Sequence, residues 1–215
     1  MYSFKEIFLT LQGEGGQAGR VSVFARFVGC NLWSGREQDR ATAACDFCDT
    51  DFVGTDGEGG GKFATPAEAV AALDAVWGAI DGAEKAVVFT GGEPLLQLDA
   101  ELIAAVKAAG YFIAVETNGT IAAPDGIDWI CVSPKGENRL LQTHGQELKL
   151  VWPQAGVDPA AFTSLAFERF YLQPKDPLGP DKTDSARHTQ AVIDYCLAHP
   201  QWRMSVQTHK LVGLK

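Results

Sequence analysis

The chain has 215 residues, 46% of them hydrophobic and 21% charged, with a formal net charge of -9. That length suits one domain, residues 1–215, with a substantial core, and is too short for two ordinary domains without a linker; the composition is that of a soluble globular protein. The negative balance disfavours direct nucleic-acid binding, because a polyanion meets net repulsion. No run approaches membrane-spanning length, and the N-terminal MYSFKEIFLT carries Lys5 and Glu6 inside its apolar run, which defeats a signal-peptide core. A cytoplasmic location is therefore expected.

In chain order, β-branched or aromatic runs that end in small or polar residues predict strands at 21–29 (VSVFARFVG), 86–92 (AVVFTGG), 112–119 (FIAVETNG), 129–135 (WICVSPK), 147–152 (ELKLVW), 169–175 (RFYLQPK) and 204–209 (MSVQTH). Between them the Ala-rich 65–80 predicts a helix with Thr65 as N-cap and Pro66 in its first turn, and 99–110 a helix capped by Asp99 and stopped by Gly110. A third helix is expected at 189–199. Residues 54–62 (GTDGEGGGK) form the one low-complexity stretch and predict a flexible surface loop.

Strands alternating with helices imply right-handed βαβ units and a mainly parallel sheet. A complete eightfold barrel needs about 250 residues, and helices are fewer than strands. The expected fold is thus α/β, a partial, open TIM-like β/α barrel. In such folds the chemistry sits on loops leaving the carboxyl ends of strands. There the sequence places Thr90-Gly91-Gly92-Glu93, Glu116-Thr117-Asn118, Ser133-Pro134-Lys135 and Gln173-Pro174-Lys175-Asp176, with Cys30 closing the first strand.

Three of the five cysteines, Cys30, Cys45 and Cys48, are clustered as C-x14-C-x2-C. A structural zinc would need a fourth His or Cys nearby, and the segment supplies none. Iron–sulfur clusters normally take four cysteines; three would leave one iron open to a small molecule. A thioredoxin-like dithiol would leave Cys30 unexplained. Cys131, inside a strand, and Cys196, on an apolar helix face, read as packed small hydrophobes.

The triplet, Phe47 before its last cysteine and TGGEP at 90–94 resemble the radical S-adenosylmethionine enzymes, whose usual spacing is C-x3-C-x2-C; here the first interval is enlarged by an insertion at about 31–44. Within that superfamily LQGEG (11–15), FARFVGCNLW (24–33), CDT (48–50), TGGEPLLQ (90–97), ETNG (116–119), VSPK (132–135) and LQPKD (172–176) are similar to the 7-carboxy-7-deazaguanine synthase family of the deazapurine (queuosine) pathway. The resemblance implies that Cys30, Cys45 and Cys48 hold a [4Fe-4S] cluster whose open iron binds S-adenosylmethionine, and that the substrate is 6-carboxy-5,6,7,8-tetrahydropterin, converted with loss of ammonia by a carbon–nitrogen lyase.

It further implies a cofactor site of Phe47, Gly91, Gly92, Glu93, Glu116, Asn118, Ser133, Pro134, Lys135, Gln173, Pro174, Lys175 and Asp176. Gly91 and Gly92 let backbone approach the ligand, Glu93 suits the cofactor ammonium, Lys135 and Ser133 its carboxylate, and Glu116 its ribose hydroxyls. The plain alternatives are a helix cap for Glu93 and ion pairs for Lys135 and Glu116. On the substrate side stand Gln12, Gly13, Glu14, Arg26, Thr90 and His209. Arg26 interrupts an apolar strand, and its planar fork matches a carboxylate; the alternative is an internal Asp or Glu partner. Glu14 has the polarity to accept from the pterin's N–H edge. Thr50 resembles the family position that contacts Mg2+, a hard ion that prefers oxygen ligands. A homodimer and an external flavodoxin-like or ferredoxin-like electron donor are expected by the same resemblance. The rival readings are a radical activase acting on a partner protein and a non-catalytic zinc-stabilised binding module.

Overall fold

The structure, a computed structural model, describes residues 1–178 and 183–215. Among the described residues nine strands form one sheet: β1 (Tyr2–Leu11), β2 (Val21–Phe27), β3 (Gly61–Phe63), β4 (Ala86–Gly91), β5 (Phe112–Thr117), β6 (Trp129–Val132), β7 (His144–Trp152), β8 (Ala166–Pro174) and β9 (Trp202–Met204). Their spatial order is β3-β1-β2-β4-β5-β6-β7-β8-β9. From β2 to β9 every neighbouring pair is parallel, whereas β1 runs antiparallel to both β2 and β3. The sheet stays open, with β3 and β9 at its edges. Four α-helices accompany it among the described residues: α1 (Pro66–Trp77), α2 (Ala100–Ala108), α3 (Thr183–Ala198) and α4 (Thr208–Val212). The open, mainly parallel α/β sheet expected from the sequence is what forms, and none of these helices is long and apolar enough to cross a membrane.

The helix starts follow from capping chemistry. The Thr65 hydroxyl accepts from the Glu68 N–H at 3.2 Å and the Asp99 carboxylate from the Leu102 N–H at 2.9 Å, satisfying amides that have no partner within the first turn. The apolar faces of α1 and α2 then cover one face of the sheet, where Phe4, Phe27, Leu73, Phe89, Leu102 and Ile113 are buried together. A second core beneath α3 gathers Val132, Leu148, Leu150, Leu172, Val192 and Trp202. Period-two alternation decides what is left for the other face. On β2, Val23, Ala25 and Phe27 enter the first core, so Phe24 and Arg26 turn to the opposite side and line a cavity there.

Two expectations need correction. The run 204–209 is not a strand: β9 lies earlier, at Trp202–Met204, and the chain then turns into α4. The glycine-rich 54–62 is laid along the edge of β1, and its last residues open β3. The Ile7 N–H donates to the Glu58 carbonyl at 2.7 Å and the Gly57 N–H to that of Lys5 at 2.9 Å. Glycine is required for closeness, since a Cβ at Gly60 would lie 2.2 Å from the Lys5 carbonyl oxygen. Gly60→Ala is therefore expected to destabilise the chain by about 1–3 kcal/mol, the usual penalty of forcing an extra carbon into packed structure. Thermal denaturation checks this, and an unchanged midpoint would show that the edge gives way freely.

Candidate active site

The cysteine segment is organised by the enlarged loop itself. Trp33 and Phe52 bury their rings edge-to-face at 5.6 Å, and Arg40, on a 3-10 turn at Glu37–Thr42, stacks its guanidinium 4.1 Å from the Trp33 ring. From there Arg40 Nη1 donates to the carbonyls of Asp46 at 2.9 Å and Cys48 at 3.0 Å. A side chain from within the insertion thus clamps the backbone of the C-x2-C pair. Cys45 is tied to the start of the insertion by its N–H, which donates to the Leu32 carbonyl at 3.3 Å, and Cys30 Sγ accepts the Leu32 N–H at 3.4 Å.

The Gly91-Gly92-Glu93 turn locks against the same spot. The Glu93 N–H donates to the Gly29 carbonyl at 2.9 Å, and a Cβ at Gly92 would fall 2.2 Å from that carbonyl oxygen and 2.7 Å from the Cys30 Cβ. All five cysteines are free thiols. Burial pushes Cys30 and Cys45 up, opposed at Cys30 by the Leu32 and Trp33 N–H groups and at Cys45 by the Lys135 ammonium. Among the described residues no three His, Cys, Asp or Glu side chains converge closely enough to hold a single metal ion. Soft thiolates suit an iron–sulfur unit.

The thiols of Cys45 and Cys48 open onto a cavity of about 470 Å³ at the carboxyl ends of the parallel strands. Every site residue expected from the sequence lines it except Cys30, Glu93 and Pro134. Glu93 is wholly buried beneath the wall. Its carboxylate accepts from Thr117 Oγ1 and the Asn118 N–H, both at 2.7 Å, and from the Leu95 N–H at 3.0 Å. The helix-cap alternative thus describes its side chain, which fastens the glycine turn to the end of β5.

Phe47 lies under two ammonium groups, Lys135 Nζ at 5.4 Å and Lys175 Nζ at 5.9 Å from the ring centre, and Lys135 donates to Ser133 Oγ at 2.8 Å. Asn118 Nδ2 donates to Asn31 Oδ1 at 3.0 Å, and Gln173 Oε1 accepts from Ser205 Oγ at 3.1 Å. Lys210 Nζ bridges Asp49, beside Cys48, to Asp176, at 2.6 and 3.0 Å. Thr50 stands on the wall between Asp49 and Asp51, the latter held by Lys5 at 2.9 Å.

The opposite wall comes from β1, β2, β7 and α4. Thr208 donates its N–H (3.0 Å) and its hydroxyl (2.8 Å) to the Gly13 carbonyl, which brings His209 so close that a Cβ on Gly13 would lie 2.2 Å from His209 Nδ1. Arg26 Nε donates to Glu6 Oε1 at 2.8 Å, so the internal acid weighed for it exists. Burial raises the Glu6 carboxyl, but hydrogen bonds from Arg26 and Lys215 outweigh it and the carboxyl is held low. For Glu14, too, burial pulls upward; the Lys149 ammonium, Gln207 and His209 reverse it and hold the carboxyl at about 2.

Lys149, the partner of both Glu14 and Glu116, is the residue that sequence reasoning missed. Its signal was present: one lysine inside the apolar run ELKLVW, on a strand with neighbours on both sides.

Comparison with known proteins decides the family. The Radical SAM superfamily model matches residues 38–133. The 7-carboxy-7-deazaguanine synthase of Caulobacter vibrioides is 65% identical over 214 residues, covering 99% of each chain, and that of Bordetella pertussis is 62% identical with the same coverage. The chain belongs to the 7-carboxy-7-deazaguanine synthase family. The crystal structure of QueE from Escherichia coli shares the fold, with a TM-score of 0.68 at 23% identity over 97% of this chain and 94% of that one. Family membership implies an iron–sulfur cluster and S-adenosylmethionine, and Cys45 and Cys48 at the cavity, with Cys30 packed beside the Gly92 turn, are compatible with both.

Proposed function

We propose that this chain converts 6-carboxy-5,6,7,8-tetrahydropterin to 7-carboxy-7-deazaguanine with loss of ammonia, as a single-domain radical S-adenosylmethionine lyase of 7-deazapurine biosynthesis. The observation that carries the reading is one cavity whose wall holds thiols at one end and an arginine with a paired acid cluster at the other. When bound, the [4Fe-4S] cluster and S-adenosylmethionine supply the hydrogen-atom abstraction that starts the rearrangement. The protein's part is to hold both molecules in register and keep water away from reactive species.

Cys30, Cys45 and Cys48 hold the cluster. Gly91 and Gly92 let the backbone meet the cofactor, with Glu93 bracing that turn from behind. Lys135 and Ser133 face the cofactor carboxylate, Phe47 and Asn118 flank the nucleoside, and the chain from Gln173 through Pro174 and Lys175 to Asp176 lines its far side. Arg26 takes the pterin carboxylate, Glu14 and Gln12 accept from the heterocycle's N–H edge, and Gly13, Thr90 and His209 close around it. The Thr50 hydroxyl contacts Mg2+, which would polarise the substrate as a Lewis acid. The enzyme works in the cytoplasm as a homodimer and takes its electron from a flavodoxin-like or ferredoxin-like donor.

The test is anaerobic reconstitution with iron and sulfide, then turnover with S-adenosylmethionine, reductant and the tetrahydropterin. Mass analysis is expected to find the deazaguanine acid and free ammonia. Unchanged pterin alongside cleaved S-adenosylmethionine would keep the radical chemistry and sink the substrate assignment.

A further inference from the structure

At the cavity floor one cation serves two acids. Lys149, on β7, is only 3% exposed, and its ammonium lies 2.8 Å from Glu14 Oε2 and 2.9 Å from Glu116 Oε2. The second oxygen of each carboxylate is met by an amide: Gln207 Nε2 donates to Glu14 Oε1 at 2.8 Å, and Gln12 Nε2 to Glu116 Oε1 at 3.2 Å. The acids come from different elements, Glu14 from the loop after β1 and Glu116 from β5, and all three side chains line the cavity. Each carboxylate oxygen can accept two hydrogen bonds, so both acids keep capacity for a ligand.

The other ionisable groups facing this cluster do not replace the lysine. Glu147, two residues before it on the same strand face, accepts the Gly16 N–H at 2.7 Å and the Cys131 Sγ–H at 3.5 Å. Burial pushes the Glu147 carboxyl and the Cys131 thiol up, away from adding charge. His209 on α4 adds a weaker favourable charge to Glu14. Burial alone would lower Lys149, but the Glu116 and Glu14 carboxylates beside it help raise it well above the usual lysine range, so it stays charged.

We propose that Lys149 is a positioning residue for substrate binding: its ammonium, in contact with both Glu14 and Glu116, holds the two carboxylates side by side, so that the pterin's N–H edge and the nucleoside's hydroxyls each meet a placed acceptor. This rests on the pterin reading above. Without the ammonium, Glu14 loses the charge that offsets its burial, and its carboxyl takes up a proton more readily as the pH falls. A protonated carboxyl presents an O–H where the pterin presents N–H, and donor then faces donor.

The experiment titrates 6-carboxypterin into the cluster-loaded, S-adenosylmethionine-bound chain by anaerobic calorimetry between about pH 6 and 8.5, for wild type, Lys149→Met, Lys149→Gln and Lys149→Arg. The readout is the ratio of variant Kd to wild-type Kd at each pH, in which effects common to all four proteins, including the pterin's own ionisation, largely cancel. For Lys149→Met and Lys149→Gln this ratio is expected to rise at least about tenfold from the alkaline to the acid end, the effect of one pKa unit on a carboxyl that must be ionised. Lys149→Arg keeps the charge and gives a flat ratio even if packing weakens its affinity overall. Lys149→Gln removes the charge but keeps a polar side chain, so the test survives if the methionine variant fails to fold. A ratio independent of pH in the neutral variants would overturn the proposal alone; wild-type chain that binds no pterin would overturn the substrate reading and this proposal with it.

Discussion

Cys30→Ala is expected to give a folded chain that remains colourless after anaerobic incubation with iron and sulfide, its bound iron reduced to near background. Removing one thiol leaves two, and neither Cys131 nor Cys196 can take its place. Cys131 is 1% exposed on β6 beside Glu147, and Cys196 lies on α3 against the second core. The fold should tolerate the change, because the sulfur only accepts from the backbone N–H groups of Leu32 and Trp33, and the Gly29 carbonyl that receives Glu93 is untouched. Cys131→Ala and Cys196→Ala supply the contrast and should bind iron and sulfide as wild type does. Metal analysis with visible absorbance reads the outcome. A Cys30→Ala chain that still turned brown would place the ligand elsewhere and remove the basis for an open iron site.

How much of this was legible in the sequence depends on how many faces of each element are buried. Strands β4 to β8 announced themselves as short β-branched runs because each is paired on both edges and packs its helix-covered face into a core, which leaves few positions for charges. β1 was not read as a strand. Its partner register with β2 shifts between Phe4 and Glu6, which breaks the period-two pattern, and Lys5 and Glu6 face the cavity rather than a core. β3 was hidden inside glycines, whose role is to let backbones approach. α3 begins at Thr183, before the expected 189, because its polar first turns carry no apolar periodicity.

The site divides in the same way. Residues inside short motifs, such as Gly91-Gly92 or Ser133-Pro134-Lys135, were found from position at strand ends. Partnerships between distant elements were not, because nothing local pairs Lys149 with Glu14 or sends Arg40 to the carbonyls of Asp46 and Cys48. The Arg26 partner shows the limit well: an acid was weighed as its mate, yet only register across β1 and β2 identifies Glu6.

Arg26→Ala is expected to keep the brown colour and to raise the Kd for the pterin by about two orders of magnitude, since losing a charge-assisted partner for a buried carboxylate typically costs 2–5 kcal/mol and about 1.4 kcal/mol is tenfold. The pair with Glu6 does not consume the guanidinium. Among the described residues it engages Nε alone, leaving terminal nitrogens for a ligand while fixing the plane in which they lie. Glu6 also takes Lys215 Nζ at 3.0 Å on its other oxygen, so two cations surround one acid and the local excess is positive, suited to an incoming carboxylate. For the same reason the variant should fold, because Glu6 retains a counter-charge and no half-buried carboxylate is stranded. Arg26→Lys, which keeps the charge but not the fork, should fall between the two. Calorimetry with 6-carboxypterin beside its decarboxylated parent separates the cause: the wild-type preference for the acid should collapse in Arg26→Ala. If the variant still prefers the acid by the wild-type margin, the carboxylate lies elsewhere, and Lys5, Lys210 and Lys215, which line the same cavity, become the first groups to replace.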